Sequence, residues 1–138
     1  MRLELYQAET ARIAAEQQAI LDAARAILDS DRPLTPLEQS GVLHALQIII
    51  ENAIGKAKHW LKAKGQPVPV SAYDAIQALA NIDAIHRETL PEWNAVIGLR
   101  NRIVHDYMTI DFDQIIDIIE NKKEQFVIDF LLKQLPFF

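Results

Sequence analysis

Apolar residues recur every seven positions at the start of the chain, at Tyr6, Ile13, Ile20 and Ile27. A seven-residue apolar repeat with no proline or glycine inside it places these side chains along one face of an α-helix. The pattern therefore predicts one long helix from Leu3 to Leu28. The charged residues between these positions, Arg25 among them, are expected largely on the solvent-exposed sides of that helix.

The second apolar run begins at a strong helix start. Thr35 can cap the first turn and Glu38 can complete a capping box with it. Gly65 can take the left-handed conformation that ends a helix, so the run predicts a helix from Thr35 to the residue before Gly65. Gly41 and Gly55 inside this helix lower its intrinsic stability, so they predict the close crossing of another helix.

Three more capping patterns follow. They predict a third helix from Ser71 to about His86, a fourth that starts at Thr89, and a fifth from Asp111 to about Leu135. No segment alternates between polar and apolar residues at period two, so we expect no sheet. Five helices joined by short turns predict an all-α antiparallel bundle.

Composition narrows the class of protein. The chain has 138 residues, which fits a single domain over residues 1–138. It contains no cysteine, which excludes disulfides, thiolate metal sites and cysteine nucleophiles. The sequence contains no stretch of about 18 uncharged apolar residues, so it predicts no membrane span. The N-terminus lacks the apolar core of a signal peptide. We therefore expect a cytoplasmic protein without membrane contact.

The net charge of −5 argues against general nucleic-acid binding, because such binders are usually basic. Any RNA contact would need a local basic patch. The end of the second helix offers one, with Lys56, Lys58, His59, Lys62 and Lys64 and no acid among them. Cations in the last turns also complement the helix dipole, which is a sufficient structural reason for them. The sequence keeps both interpretations open and slightly favours the structural one.

The stretch from Leu99 to Tyr107 sets polar groups against an apolar helix face. Helical spacing places Arg100 among apolar side chains, with Asn101 and His105 together beside it. Burying a charge is costly unless it is paired, so this placement needs a reason. One reason is structural: Arg100 forms a salt bridge and His105 is a hydrogen-bonded histidine of the core. On spacing alone, this structural reason is the more common of the two. The other is that the three groups converge on an anion.

If the three groups form a site, its chemistry is predicted to be metal-free. No acidic cluster supplies a cation cage, and the four histidines share no ligand spacing. The Arg100 guanidinium suits phosphate oxygens, His105 can exchange a proton near neutral pH, and Asn101 can orient either partner. An RNA backbone supplies its own nucleophile, the 2′-hydroxyl, so such a site could cleave RNA.

The spacing of Arg100 and His105 adds a constraint. They are five positions apart, which corresponds to about 140° around a straight helix. One copy of the chain also provides only one imidazole here. Two copies packed across a two-fold axis would bring two Arg–His sets to one cleft, so we expect a homodimer.

The order Arg100, Asn101, His105 and Tyr107 resembles the signature of HEPN-domain ribonucleases. More narrowly, it resembles the HepT toxins that are encoded beside a minimal nucleotidyltransferase (MNT, or MntA) antitoxin. Two longer stretches of sequence are also typical of that family: residues 96–107, which contain the signature, and residues 45–53 of the second helix. The resemblance covers nearly the whole chain.

The resemblance implies a HEPN-like all-α bundle that dimerises through the motif helices and cleaves tRNA or mRNA without metal or cofactor. It implies that Arg100 and His105 are catalytic, that Asn101 supports them, and that Tyr107 accepts AMP groups from an MntA-like antitoxin. Arg102 and the lysines at positions 56, 58 and 62 are further candidate RNA contacts.

Two other functions remain open at this point. A non-catalytic HEPN dimer could bind a nucleotide or a nucleotidyltransferase partner without cutting RNA, which the acidic net charge favours. A purely structural helical oligomer is the third possibility. The final residues, Pro136, Phe137 and Phe138, form an aromatic tail that is most easily explained if something covers it.

Overall fold

The computed structural model describes residues 2–136, so the aromatic tail at Phe137 and Phe138 lies outside the described residues. The described part contains six α-helices and no strand: α1 (Leu3–Asp29), α2 (Pro36–Ala63), α3 (Ala72–Asn81), α4 (Leu90–His105), α5 (Phe112–Glu120) and α6 (Gln125–Leu132). Short 3₁₀ turns at Arg87–Thr89 and Tyr107–Thr109 flank α4. Across residues 2–136, no helix is long and apolar enough to span a bilayer.

Helix α2 forms the centre of the bundle, in contact with α1, α3, α4 and α6. Its inward face is apolar along its length, with Leu46, Ile49, Ala53, Ala57 and Leu61 almost or fully inaccessible to solvent. A second set of apolar side chains from α4 and α6 closes the core around it. The all-α prediction is confirmed, and the burial of α2 explains its nearly continuous apolar sequence.

The predicted helix starts are confirmed where side chains cap them. The Glu38 backbone N–H donates to Thr35 Oγ1 at 3.2 Å, and the Thr35 N–H donates to Glu38 Oε1 at 2.8 Å, which completes the capping box. Ser71 Oγ accepts from the Asp74 N–H at 3.4 Å at the start of α3. Gly65 has φ +68°, the left-handed conformation expected after α2.

Two predicted helices differ in the structure. The third ends at Asn81 and not at His86, because Asp83 adopts a left-handed φ of 58° that no α-helix can continue. The fifth is two helices, because the chain turns at residues 121–124 around Lys122, whose φ is 51°. The bundle therefore has six helices where the sequence predicted five.

A buried ion pair sits at the turn between α5 and α6. Arg25 Nη2 lies 2.9 Å from Glu124 Oε2, and the side chains are 11% and 4% exposed. Arg25 Nε also donates to the Ile119 carbonyl at 2.7 Å, near the end of α5. The prediction that Arg25 faces solvent is wrong, because its guanidinium satisfies the carboxylate and carbonyl groups that the turn would otherwise leave unpaired.

The glycines of α2 behave differently from each other. A Cβ atom built on Gly55 would lie 3.4 Å from the Tyr6 hydroxyl, so α1 approaches closely there through a side chain. A Cβ on Gly41 would meet nothing within 4 Å. The predicted close crossing is therefore wrong at Gly41.

Lys56 is not available to RNA, because its side chain is fully buried. Its ammonium donates to the carbonyl oxygens of Phe130 at 2.7 Å, Leu131 at 3.2 Å and Lys133. A helix end leaves such carbonyls without intrahelical partners, so Lys56 serves as a cap for α6. Burial, with the nearby charge of Lys133, lowers the pKa of Lys56 to about 8.

The two other candidate lysines of α2 differ from Lys56. Lys58 is partly buried and its ammonium donates to the Val70 carbonyl at 2.8 Å, whereas Lys62 is exposed. Only these two remain as candidate RNA contacts on α2.

Replacing Lys56 tests its role as a cap. We expect Lys56→Met to lower the free energy of unfolding at pH 7 by about 2 kcal/mol, because the α6 carbonyls lose their donor. Urea denaturation measures the change. Lys62→Met, an exposed substitution on the same helix, should change stability by less than about 0.5 kcal/mol.

The same pair of variants gives a pH dependence. The folded-state pKa of about 8 lies below the ordinary lysine value, so the unfolded chain binds more protons between the two values. The stability advantage of the wild type over Lys56→Met should therefore rise as the pH rises above about 8. Equal advantages at pH 7 and pH 10 would contradict the assignment.

Candidate functional site

Helix α4 is fixed at its N-terminal half by aromatic contacts. The Trp93 ring meets Phe126 and Phe130 of α6 edge-on, with centroid distances of 4.9 Å and 5.1 Å. Further along α4, Ile97 and Ile103 are buried against the core. The helix also packs against α2 and α3, so the residues near its C-terminal end are carried on a rigid element.

Arg100 sits in the apolar seam without a partner. The residue is partly buried, and its Nε atom is inaccessible to solvent with no hydrogen-bond acceptor. No carboxylate within residues 2–136 forms an ion pair with it. The interpretation of Arg100 as one half of a structural salt bridge is therefore wrong. A buried donor without an acceptor costs free energy, which an anionic ligand would recover.

His105 is the last residue of α4 and is exposed. It is therefore not the hydrogen-bonded core histidine that the structural interpretation required. Asn101, one turn before it, is partly buried, and helical spacing places the two side chains on the same side of α4. An exposed imidazole at a helix end can exchange protons with a substrate, and the amide beside it can orient that substrate.

Tyr107 follows in a 3₁₀ turn that directs the chain away from the axis of α4. Asp106, with φ −145°, ends the helix, and the Thr109 N–H and hydroxyl both donate to the Asp106 carbonyl. Tyr107 is 55% exposed and Met108 is 93% exposed, and Val104 on the last turn of α4 is also exposed. An accessible phenol and an apolar patch thus lie next to His105.

Tyr73 borders the same face of α4, which the sequence did not predict. Its hydroxyl lies 3.5 Å from the position that a Cβ atom on Gly98 would occupy. Gly98 precedes Asn101 by three residues and His105 by seven, so all three share one side of the helix. The neighbour that approaches Gly98 closely is therefore a side chain. That glycine inside the motif helix was the only sequence signal for this contact.

The remaining predicted residues are placed as follows. Arg102 is exposed and lies about 160° around α4 from Arg100, but it precedes His105 by three residues, so those two side chains are neighbours on one side of the helix. Lys58 and Lys62 lie at the end of α2. Within residues 2–136, no three histidine or carboxylate side chains gather as a metal site.

Comparison with known proteins connects this arrangement to a family. The sequence profile described as "Ribonuclease HepT-like" matches residues 15–131, which is most of the chain. The protein belongs to the HepT-like ribonuclease family. The matched segment includes all of α2 and α4, and thus Arg100, Asn101, His105 and Tyr107, so the resemblance read from the motif is confirmed.

Two curated relatives share part of the sequence. The mRNA nuclease HepT of Shewanella oneidensis is 28% identical over 88 residues, 64% of this chain and 66% of the relative. A putative RNase of Archaeoglobus fulgidus is 30% identical over 93 residues, 67% of this chain and 70% of the relative. The match thus spans about two thirds of the length of each relative.

Two solved structures share the fold. One is a toxin–antitoxin complex with AMP-PNP, and the other is a tri-AMPylated Shewanella oneidensis HEPN toxin in complex with an MNT antitoxin. Both superpose with a TM-score of 0.71 at 21% identity, over 95% of this chain and 99% and 98% of theirs. The HEPN-like all-α fold is therefore confirmed.

The unpaired state of Arg100 predicts an unusual effect on stability. We expect Arg100→Met to leave the free energy of unfolding unchanged or to raise it by up to about 1 kcal/mol, because it removes a buried donor that has no acceptor. Arg25→Met should instead lower it by about 3 kcal/mol, because it leaves the buried Glu124 carboxylate unpaired. Chemical denaturation of both variants measures the contrast, and similar losses would show that Arg100 is a structural ion-pair residue.

Proposed function

We propose that this protein is the toxin of a HepT/MntA-type toxin–antitoxin system, a metal-independent endoribonuclease whose site contains Arg100, Asn101 and His105. The observation that carries the proposal is the partly buried Arg100, whose inaccessible Nε has no acceptor, near the same end of α4 as the exposed imidazole of His105. Membership of the ribonuclease family supports the choice of RNA as the substrate. Its substrate, tRNA or mRNA, would place the protein in the cytoplasm.

The proposed reaction uses the 2′-hydroxyl of the RNA as the nucleophile. His105 accepts its proton while the 2′-oxygen attacks the adjacent phosphorus atom. Arg100 donates hydrogen bonds to the non-bridging oxygens as charge develops on the pentavalent phosphate. The bond from phosphorus to the 5′-oxygen then breaks, and that oxygen takes a proton from a second imidazole. The products are a 2′,3′-cyclic phosphate and a 5′-hydroxyl.

The second imidazole is the reason for proposing a homodimer. One copy supplies only one imidazole at this site, so it cannot provide both the base and the acid of the reaction, and its Arg100 and His105 lie about 140° apart around α4. The exposed apolar side chains of Val104 and Met108 beside His105 provide a surface that a second copy would cover. Pairing there would bring two Arg–His sets to one cleft.

Tyr107 is proposed as the acceptor for AMP groups from a partner nucleotidyltransferase resembling the MNT antitoxin. Its phenol is accessible and only two residues from His105. An added nucleotide would bring bulk and a negative phosphate to the site, where Arg100 could bind it in place of RNA. The tri-AMPylated HEPN toxin of similar fold supports this form of control.

Cleavage of RNA in the presence of EDTA tests the proposed reaction. We expect His105→Ala and Arg100→Ala to lower the cleavage rate by about 100-fold or more, because each removes a group that acts only in the transition state. Melting temperatures near that of the wild type would show that both variants are folded. Gel analysis of labelled tRNA and mRNA measures the rate.

Two outcomes would contradict the proposed reaction. Equal activity in both variants would end the site assignment, and activity lost with EDTA and restored by metal would end metal independence. Nucleotide binding without any turnover of RNA would favour the non-catalytic HEPN dimer.

The modification of Tyr107 has its own test. Incubation with a cognate nucleotidyltransferase and ATP should add AMP mass to Tyr107 and lower RNA cleavage, because the nucleotide blocks the groove beside His105. Mass spectrometry of proteolytic peptides locates the label. Tyr107→Phe should abolish it, whereas Tyr73→Phe, at the other accessible phenol near α4, should retain it. A label that persists in Tyr107→Phe would refute the assignment.

A further inference from the structure

A groove runs along the side of α4 that carries Val96, Leu99 and Arg102, away from Asn101. Its volume is about 620 Å³, and α4, α5, the turn between α5 and α6, and α6 form its walls. The floor is apolar, with Ala95, Val96, Leu99, Ile118 and Phe126. No contact of the proposed reaction uses this groove, so its shape has no explanation in the site described above.

The rim of the groove is positively charged in a protein whose net charge is −5. Arg102 and Lys122 form no ion pair or side-chain hydrogen bond among residues 2–136, whereas Lys123 pairs with Asp117 at 2.6 Å. Glu92 is the only acid on the rim. Lys122 holds a left-handed backbone conformation at the turn that forms this wall. The rim therefore carries two cations without partners above an apolar floor.

That combination matches one nucleotide of a single-stranded RNA. Unpaired cations attract phosphates, and an aromatic and aliphatic floor accepts a base of any identity by stacking. Phe126 is held in place by the edge-on contact with Trp93, so the floor is rigid.

The groove also lies within reach of the proposed site. Arg102 follows Arg100 by two residues, so the two positions differ by about 3 Å along the helix axis and lie on different sides of it. Arg102 also precedes His105 by three residues, so an RNA strand at His105 needs to pass only about 5 Å along the helix axis to reach the rim of the groove.

We infer that the groove binds a nucleotide of the substrate strand outside the scissile step, with its phosphate against Arg102 and Lys122 and its base on the Phe126 floor. This inference rests on the proposed function for the identity of the ligand. It assigns the substrate a binding subsite that is separate from the catalytic groups, and explains how an acidic protein retains RNA.

Binding measurements on a non-cleaving background test the subsite. A fluorescent 12-nucleotide single-stranded RNA is titrated against the His105→Ala protein with and without Arg102→Gln or Lys122→Asn, since asparagine tolerates the left-handed backbone. Each substitution should weaken binding about fivefold and reduce the slope of log affinity against log salt by about 0.7, the value for one phosphate contact. Ala95→Met, which fills the floor, should weaken binding without changing the slope.

Arg2→Gln is the matched control, because it removes one charge from an exposed arginine. Arg2 lies at the opposite end of α1 from Arg25, which contacts the turn beside the groove. About 35 Å separates the two positions along α1. The control should leave the affinity and the salt slope within error of the parent protein.

The outcomes separate this inference from the proposed reaction. In the protein with His105 intact, Arg102→Gln should raise KM about fivefold for the same RNA and leave kcat unchanged. Unchanged affinity, slope and KM overturn the subsite even if RNA is cleaved. Groove-dependent binding without any cleavage overturns the proposed reaction and leaves the subsite standing. Loss of binding to the nucleotidyltransferase alone would make the groove a protein-docking surface and overturn the subsite.

Discussion

The candidate site depends on a partly buried guanidinium whose Nε the fold shields from solvent without giving it an acceptor. The side chain of Arg100 lies in the apolar seam of α4, and its Nε has no partner in the described chain. A folded protein bears the cost of such a group only where the surroundings fix it. Here the Trp93 contacts with α6 and the packing of α4 on α2 and α3 supply that rigidity. The core thus holds the candidate phosphate-binding group in place.

Two other cationic side chains in this fold are largely removed from solvent and have hydrogen-bond acceptors. Lys56 donates to carbonyls at the end of α6, and Arg25 pairs with Glu124 at the turn before it. Both therefore stabilise α6 and the turn before it, and α6 contacts α4 through Trp93. Arg100 differs from both. The two structural cations are hydrogen-bonded to carbonyl or carboxylate oxygens, whereas the candidate catalytic Arg100 has no acceptor among the described residues.

Helix α4 serves two surfaces at once. One side leads through Asn101 to His105 and Tyr107, and the other forms the apolar floor below Arg102. A negative net charge disfavours long-range attraction of RNA, so the proposed binding relies on short-range contacts at these two surfaces.

The sequence by itself determined the features that depend on neighbours a few residues apart. Helix starts at Thr35 and Ser71, the left-handed Gly65 and the order of the motif residues all follow from local hydrogen bonding and helical spacing. The family was also legible from that motif.

Only the tertiary structure decided which charges are buried. Lys56 meets Phe130 across 74 positions, and Arg25 meets Glu124 across 99. No local pattern encodes such contacts, so the sequence offered Lys56 as part of a possible RNA-binding patch, while slightly favouring a role at the helix end, and placed Arg25 in solvent. The same holds for the break at Lys122, because an apolar run is equally compatible with one helix or two until the partners that satisfy the turn are known. Burial is a property of the assembled core, whereas capping and periodicity are properties of a segment.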